Sequence, residues 1–246
     1  MLAGYDHLLR AAERLRWDER ALDLAADARA FAALAEPRRI ALRRMVAGFC
    51  VAESAVAEHL VPFEAAAADP ALAACLAAQA DDERRHARFF ARVAREVVGI
   101  DPVTDAPRLA GDALNRLFGR LLPAAADAVG ADPDALPQAV ALYHLVLEGV
   151  VFSAGQDLLI WLLTDAATLP ATLKGARRVQ ADERWHIGLG VQCLSLAGVE
   201  PPALDEPLAL ALGCWGEAAD RDQALARHRR RLDLVTGRAS APRSPS

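Results

Sequence analysis

Residues 82–86 read Asp82-Glu83-Arg84-Arg85-His86, and one hundred positions later residues 182–186 read Asp182-Glu183-Arg184-Trp185-His186. Each stretch contains the pattern Glu-x-x-His. Residues three apart share one face of an α-helix, so the carboxylate and the imidazole of each stretch can converge on one point. A single Glu-x-x-His is a weak signal because charged helices often carry both residues on their solvated side. The occurrence of two matching stretches makes the pattern informative.

Each stretch is preceded by one glutamate within an otherwise apolar segment. Glu53 lies 30 residues before Glu83, and Glu148 lies 35 residues before Glu183. A carboxylate on an apolar helix face is costly unless something compensates its charge. Four glutamates facing one interior carry about four negative charges, which two divalent metal ions neutralise, and two neutral imidazoles complete a ligand set suited to iron or manganese. One Glu from each of two helices with Glu-x-x-His from two others is the dimetal carboxylate pattern of ferritin-like bundles.

We therefore predict a dimetal site with six ligands. By symmetry, one metal is assigned to Glu53, Glu83 and His86, and the other to Glu148, Glu183 and His186, with Glu83 and Glu183 as the bridging carboxylates. Asp82 and Asp182 precede these glutamates identically, and each is expected to orient the histidine of the opposite motif, since metal-bound histidines usually donate their other N–H to a carboxylate. The alternative for both aspartates is a plain surface position. His144 is interpreted as a hydrogen-bonded core histidine rather than a seventh ligand.

The composition excludes several classes of protein. The chain has 246 residues, of which 54% are hydrophobic and 5% aromatic, with a net charge of −5. These values exclude a disordered protein and disfavour a nucleic-acid partner. Apolar runs are interrupted by charge, so we predict no membrane-spanning helix. The N-terminal residues have no apolar core of the signal-peptide kind, and the four cysteines, Cys50, Cys75, Cys193 and Cys214, are predicted to be buried reduced thiols. A cytoplasmic location is expected.

Ala, Leu, Arg and Glu dominate the sequence, and glycine and proline fall between long segments, which predicts an all-α protein. We expect a ferritin-like helical bundle with the dimetal carboxylate site in its core and additional flanking helices. Predicted helices cover residues 3–16, 18–34, 37–61, 70–98, 107–129, 134–164, 171–196 and 204–232. A single domain is expected over residues 1–235, with a disordered tail at 236–246. The basic run 227–231 is either a solvated helix end, which the helix dipole favours, or a docking patch.

The metal-site motifs resemble those of the ribonucleotide reductase small-subunit superfamily. Three further stretches are similar to its ligand-binding oxidases: Glu53-Ser-Ala-Val56, Arg85-His86-Ala-Arg-Phe89-Phe90 and Tyr143-His144-Leu-Val-Leu-Glu148-Gly149. The similarity covers about residues 39–198 and is most specific in the motif helices.

The resemblance implies a dioxygen-activating enzyme that carries out two-electron C–H oxidation. It implies a Mn/Fe cofactor, with Fe/Fe as the alternative, and a long-chain fatty acid or similar apolar ligand bound beside the metals. It also implies an ether cross-link between Val56 and Tyr143, which match the linked pair by their offsets from Glu53 and Glu148. The electron donor, the substrate and the oligomeric state stay open, with a homodimer as one option.

Three alternatives are compatible with the same motifs. The first is a ribonucleotide reductase small subunit. Most such subunits carry a radical tyrosine four residues after the first motif's histidine, where this chain has Phe90, and its two tyrosines, Tyr5 and Tyr143, leave none for a relay through the tail. The second is a dimetal monooxygenase or N-oxygenase acting on a free substrate. The third is a non-catalytic ferritin-like protein that binds or stores metal.

Overall fold

The structure, a computed structural model, describes residues 2–166, 169–198 and 202–237. Within these ranges the regular structure is helical and contains no strand, which confirms the all-α prediction. The helices are α1 (Tyr5–Leu15), α2 (Ala25–Ala32), α3 (Glu36–His59), α4 (Val61–Ala66), α5 (Pro70–Arg92), α6 (Ala106–Ala110), α7 (Asp112–Arg116), α8 (Leu122–Ala131), α9 (Leu136–Val140), α10 (Ser153–Ala166), α11 (Pro170–Ala197), α12 (Asp205–Gly213) and α13 (Arg221–Val235). The expected disordered tail falls mostly on residues 238–246, which lie outside the described ranges.

Three of the long helices contain π-helical turns. Val93–Val98 continues α5, Leu117–Leu121 joins α7 to α8, and Ala141–Phe152 joins α9 to α10. The last of these is the central helix of the protein, and all twelve of its π-helical residues are buried. π-helical turns are rare and often occur at functional sites. Here they coincide with the segment that carries Glu148.

Four long helices form the bundle: α3, α5, α11 and the continuous helix α9–α10. Helix α3 packs on α5, α5 on α11, α11 on the π-helical segment, and α10 on α3. Each of the four carries one of the predicted metal-binding motifs. The motifs lie in four separate parts of the chain. The packing of these helices brings them together in the interior of the bundle.

The central helix also explains a composition signal for a membrane span. The stretch Pro133–Thr164 is long and apolar enough to cross a membrane by length and composition. In this fold its middle is enclosed by the other bundle helices, and residues 139–152 are all buried. Its apolar character is therefore that of a core helix.

Several predicted helix boundaries were wrong, each for a local reason. The predicted helix 18–34 is a 3₁₀ turn, Glu19–Ala21, followed by α2. The predicted helix 107–129 is broken at Gly111, whose φ of 89° lies outside the helical region. The predicted helix 204–232 is divided into α12 and α13 around Trp215 and Gly216, where Gly216 has a φ of 71°. Pro62 lies at the start of α4, immediately after α3 ends, as expected of a proline.

Trp215, at the break between α12 and α13, packs into the bundle. Its indole ring lies against Gly48 and Gly155, where an added Cβ would approach ring carbons to 2.7 Å and 2.5 Å. It stacks on Phe49, with the ring centroids 5.2 Å apart, and donates a hydrogen bond to the carbonyl of Val151 at 2.7 Å. The turn before α13 thus anchors the C-terminal helix onto the central helix.

Candidate metal centre

The six predicted ligands come together in the middle of the bundle. Glu53 lies on α3, Glu83 and His86 on α5, Glu148 on the π-helical segment, and Glu183 and His186 on α11. All six side chains are buried, none with more than 2% of its surface exposed. Their ligand atoms form two groups, within each of which the atoms lie within 4.8 Å of one another: Glu53, Glu83, His86 and Glu183 in the first, and Glu83, Glu148, Glu183 and His186 in the second.

Glu83 and Glu183 belong to both groups, which is the arrangement that two bridging carboxylates require. Nδ1 of His86 lies 3.3 Å from Glu83 Oε2 and 3.5 Å from Glu183 Oε1. Nδ1 of His186 lies 3.0 Å from Glu83 Oε1 and 3.2 Å from Glu183 Oε2. Both imidazoles therefore present the same nitrogen to the same pair of carboxylates, from opposite sides.

The two remaining glutamates are terminal to this pair. Glu53 Oε2 lies 3.6 Å from His86 Nδ1, and Glu148 Oε1 lies 3.7 Å from His186 Nδ1. These distances are too long for hydrogen bonds. Each terminal glutamate thus lies beside one histidine, Glu53 beside His86 and Glu148 beside His186.

Unpartnered buried atoms show that the cluster fits a pair of metal ions. Among the described residues, buried side-chain atoms with no hydrogen-bond partner include both oxygens of Glu53, Glu83 Oε2, Glu148 Oε2, Glu183 Oε1 and His86 Nδ1. Buried polar groups are normally hydrogen-bonded, and four carboxylates in one dry interior need cations. Imidazole and carboxylate donors suit iron and manganese. The residues present therefore fit a dimetal centre.

Burial and neighbouring charges shift the pKa values of the glutamates in the cluster. Burial, together with Glu83 and Glu183, raises the pKa of the Glu53 carboxyl well above its usual value. Burial and the same two carboxylates also raise the pKa of Glu148. Burial alone would raise the pKa of Glu83 too, but His186 and His86 hold it well below its usual range. Without metal ions, the buried carboxyls of Glu53 and Glu148 thus favour their neutral forms, whereas Glu83 is an ionised carboxylate beside His86 and His186.

Asp82 and Asp182 contact the histidines crosswise. Asp182 Oδ2 lies 3.0 Å from Nε2 of His86, and Asp82 Oδ2 lies 3.4 Å from Nε2 of His186. A histidine that donates from Nε2 to an aspartate keeps the lone pair of Nδ1 free for the centre. Burial would lower the pKa of His86, but Asp182 and the glutamates hold it well above its usual value.

Three side chains that the sequence analysis did not identify complete this outer layer. The indole of Trp17 donates to Asp182 Oδ2 at 2.8 Å, and that of Trp185 donates to Asp82 Oδ2 at 3.2 Å. Arg85 forms an ion pair with Asp82 and lies 3.3 Å from Asp182 Oδ2. Arg85 and Trp185 lie within the two motifs, so their position beside the aspartates was available as a signal. Trp17 lies far away in the sequence and carried none.

A second hydrogen-bonded array joins Tyr143 to the cluster. Tyr143 Oη donates to Glu83 Oε1 at 2.8 Å, and Gln79 Nε2 donates to Tyr143 Oη at 3.1 Å and to Glu148 Oε1 at 3.3 Å. Gln79 was also missed, although it lies four residues before Glu83 on the same helix face. Burial and Glu148 raise the pKa of Tyr143 well above its usual value, so its hydroxyl keeps its proton.

His144 has the structural role that the sequence suggested. Its Nε2 lies 3.0 Å from Oε1 of Gln79, and its side chain is fully buried. Burial, with the charge of His186, lowers its pKa to about 3, so the ring is neutral. His144 belongs to neither group of candidate ligands.

Side chains from the C-terminal part of the chain donate hydrogen bonds to carbonyl groups of the π-helical segment. His228 Nδ1 donates to the carbonyl of Leu145 at 3.1 Å, and Arg231 donates to the carbonyl of Gly149. Ser153 Oγ donates to the carbonyl of Glu148 at 3.1 Å. These bonds satisfy carbonyl groups around Glu148 and fix that residue in the centre. In the basic run 227–231, Arg229 and Arg230 are exposed, whereas Arg231 is half-buried and donates to the carbonyl of Gly149. Neither sequence-based interpretation, a solvated helix end or a docking patch, therefore describes the whole run.

Comparisons with known proteins agree with this architecture. Among solved structures, the chain is similar to an R2-like ligand-binding oxidase, a Tyr-to-Phe variant with aerobically reconstituted Mn/Fe cofactor, at 23% identity and a TM-score of 0.81, covering 96% of this chain and 93% of that chain. A Val-to-Ala variant of such an oxidase, with anaerobically reconstituted Mn/Fe cofactor, matches with the same values. At this identity the likeness shows the shared ferritin-like fold.

The sequence itself identifies the family. The model of "Ribonucleotide reductase, small chain" matches residues 5–209, which is most of the chain. This match spans all four motif helices and the centre between them. The chain therefore belongs to the ribonucleotide reductase small chain family.

Proposed function

We propose that this protein is a dioxygen-dependent dimetal oxidase of the ligand-binding type. The observation that carries the proposal is the pair of ligand groups sharing Glu83 and Glu183 in a fully buried centre. We assign one metal to Glu53, Glu83, Glu183 and His86, and the other to Glu83, Glu148, Glu183 and His186. Mn/Fe is the preferred pair, since the structural neighbours carry that cofactor, and Fe/Fe is the alternative.

When bound, the metal pair would activate dioxygen and supply the oxidising power for two-electron oxidation of a C–H bond. The chain's own residues provide geometry and exclude water. Asp82 and Asp182 hold the two imidazoles in one orientation, and Arg85 balances the charge of both aspartates. Phe90, which stacks on Phe49 with centroids 4.5 Å apart, belongs to the apolar wall of the bundle core.

Phe90 distinguishes this chain from the reductase subunits that store a radical on a tyrosine, but not from those that use a Mn/Fe centre without one. In the resemblance described above, this is the position of the radical tyrosine. Here it holds a fully buried phenylalanine, which has no hydroxyl to oxidise. Tyr143 is the tyrosine beside the cluster, and it reaches Glu83 from a different helix.

We further propose that Tyr143 forms an ether bond with Val56. Both residues are fully buried, and Val56 lies one helical turn beyond Glu53. Tyr143 lies five residues before Glu148 on the π-helical segment, whose wider turn brings the two residues closer to one face than a regular α-helix would. In the reaction, the phenol O–H and one valine C–H each lose a hydrogen and a C–O bond forms. Dioxygen is the oxidant and accepts the two electrons and two protons.

A bound long-chain fatty acid or similar apolar ligand completes the proposal, together with a cytoplasmic location. Two points support this ligand: the resemblance to the ligand-binding oxidases, and the apolar residues after Glu148, which include Val150 and Val151. Both of these valines are fully buried. Organic extraction of purified protein followed by lipid mass spectrometry tests the ligand directly.

Oxygen uptake tests the proposed activity against metal storage. Protein loaded anaerobically with ferrous and manganous ions is mixed with oxygenated buffer in an oxygen electrode. The proposal expects rapid uptake that stops once each chain has reacted, and no uptake above background in Glu183→Ala. Uptake that continues with excess ferrous iron and builds a ferric mineral would instead identify a storage protein.

A further inference from the structure

Gln79 is a fully buried amide whose oxygen and nitrogen both have partners beside the centre. Its Oε1 lies 3.0 Å from Nε2 of His144. Its Nε2 donates one hydrogen to Tyr143 Oη at 3.1 Å and one to Glu148 Oε1 at 3.3 Å. Gln79 belongs to neither group of candidate ligands. It therefore joins a core histidine to two residues of the site without binding metal itself.

The amide of Gln79 has one chemically consistent orientation. A metal-bound carboxylate, as proposed for Glu148, only accepts hydrogen bonds, so the amide nitrogen has to face it. The amide oxygen then faces His144, whose Nε2 carries the hydrogen. In the reverse orientation the amide oxygen would lie against Glu148 Oε1. Two acceptors would then meet in a dry interior, and a buried acceptor without its donor is costly.

His144 is held where it can fix this orientation. Its ring is fully buried and packs edge-on against the ring of Tyr143, with the centroids 4.5 Å apart. On its other side it lies against Gly190 of α11, where an added Cβ would approach Cβ of His144 to 2.1 Å. A residue packed this tightly cannot turn away from Gln79. The hydrogen bond from His144 therefore keeps the amide nitrogen of Gln79 directed at the centre.

The orientation of Gln79 determines where the hydroxyl hydrogen of Tyr143 points. Tyr143 Oη accepts from Gln79 and has one hydrogen of its own to donate. Glu83 Oε1, at 2.8 Å, is the acceptor for that hydrogen. The ring of Phe63 packs edge-on against Tyr143, with the centroids 6.0 Å apart, and helps to hold the phenol in place. With a donor on the side of Gln79, the O–H bond of Tyr143 has to point at Glu83 and so at the centre.

We infer that Gln79 is a positioning residue, which directs the O–H bond of Tyr143 toward the metal centre for the ether-forming step. This inference rests on the proposed function, since that step is part of it. In the step, Tyr143 loses its phenolic hydrogen and Val56 loses one C–H hydrogen as the C–O bond forms. Dioxygen accepts the two electrons and two protons. Gln79 is unchanged by the reaction, and its part is to set the direction in which the phenolic hydrogen leaves.

The first test examines the hydroxyl of Tyr143 before an ether bond can form. Tyr5 and Tyr143 are the two tyrosines of the chain, so a Tyr5→Phe background leaves the signal of Tyr143 alone. The phenolic C–O stretch differs in frequency between a hydroxyl that only donates a hydrogen bond and one that also accepts one. Infrared spectra of anaerobic, metal-loaded protein with isotope-labelled tyrosine should show this band shifted in Gln79→Met. Gln138→Met, the same change at an exposed position, is the control and should leave the band unshifted.

The second test follows the rate at which the cross-linked peptide appears after oxygen is admitted. Formation should be about tenfold slower in Gln79→Met, the effect expected from losing the hydrogen bonds of one amide. His144→Phe should slow it less, because Gln79 keeps its own bonds to Tyr143 and Glu148. The double variant should be no slower than Gln79→Met, since His144 acts through Gln79. Residues that act independently would instead slow the reaction by the product of the two single effects.

Metal content and circular dichroism are recorded on every sample, and rates are compared at equal metal content. A shifted band and slower ether formation in folded Gln79→Met support the inference. An unshifted band, or an unchanged rate, would overturn it while leaving the dimetal centre intact. If Gln79→Met does not fold, His144→Phe decides, with a smaller shift of the band expected and an unshifted band overturning the inference. Absence of the peptide from oxidised wild type would reject the ether bond of the proposed function, and the band would then decide the role of Gln79.

Discussion

Asp182 Oδ2 lies 3.0 Å from Nε2 of His86, a residue of the other Glu-x-x-His motif, so each motif supports the ligand of its partner. The reciprocal contact, from Asp82 to His186, is 3.4 Å. Two helices that are far apart in the sequence are thereby coupled through their histidines. Loss of one aspartate should affect the metal site built around the other motif's histidine.

Asp182→Ala should weaken metal binding most at the site of His86. Removing a carboxylate that orients a metal-bound histidine typically lowers metal affinity by about 10- to 100-fold. The measurement is a competition titration with a metal chelator, which resolves the two sites. Asp81→Ala is the matched control, since Asp81 is exposed and pairs with Arg84 on the surface. Equal affinities in the two variants would contradict the orienting role.

The stability of the metal-free protein should fall as the pH rises. The carboxylates hold the pKa values of His86 and His186 well above 6.5. A raised folded-state pKa contributes stability that is complete below the unfolded value and is lost as the pH rises through the folded value. Metal ions replace these protons, so metal-loaded protein should not show this loss.

Thermal unfolding at pH 6 and pH 9, with and without metal, measures this difference. We expect the gain in Tm on adding metal to be larger at pH 9 than at pH 6. A gain that shrinks as the pH rises would contradict the assignment of protonated histidines to the metal-free cluster.

Gly190→Ala should destabilise the protein. A Cβ at this position would lie 2.1 Å from Cβ of His144, which is held by Gln79 and cannot move freely. Overpacking of this kind typically costs about 1–3 kcal/mol in the free energy of unfolding. Gly188→Ala, on the same helix, is the control because its nearest neighbour, Leu8 Cδ2, is at an ordinary 3.4 Å. Denaturant unfolding curves of the two variants should differ in midpoint, and coincident curves would contradict the expected clash.

The Val56–Tyr143 ether bond can be detected by peptide mass spectrometry. Oxygen exposure of reduced, metal-loaded protein should produce a cross-linked peptide that is lighter than the sum of its parts by two hydrogens. Anaerobic samples and Tyr143→Phe should lack it. Absence of the peptide from fully metallated, oxidised wild type would reject the bond.

The four thiols should be unreactive in the folded protein. Burial raises the pKa of Cys50 and Cys214 to about 12 and that of Cys75 and Cys193 to about 11. The thiolate is the reactive form, and it is scarce at pH 8. Iodoacetamide at pH 8 should label all four cysteines only after unfolding. Cys50, Cys75 and Cys193 are buried, and Cys214, which the sequence predicted to be buried, is half-buried. Rapid labelling of any of the four in the folded protein would contradict the expectation.

Much of the candidate centre was predictable because helical spacing is local. Glu83 and His86 share a face whatever the rest of the chain does, and the same holds for Glu183 and His186. Partners supplied by distant segments were not predictable: Trp17 contacts Asp182 across the fold, and Arg231 contacts the carbonyl of Gly149 from the C-terminal helix. The π-helical geometry of residues 141–152 was also hidden, because apolar periodicity does not separate it from an α-helix.

Elemental analysis of reconstituted protein tests the dimetal centre most directly. Wild type is reconstituted with ferrous and manganous ions, desalted and analysed for metal per chain. We predict two metal ions per chain in wild type and in Glu58→Gln, an exposed glutamate on α3, and fewer than one in Glu183→Gln, which alters both ligand groups. Less than one metal ion per chain in wild type, or an undiminished content in Glu183→Gln, would contradict the account.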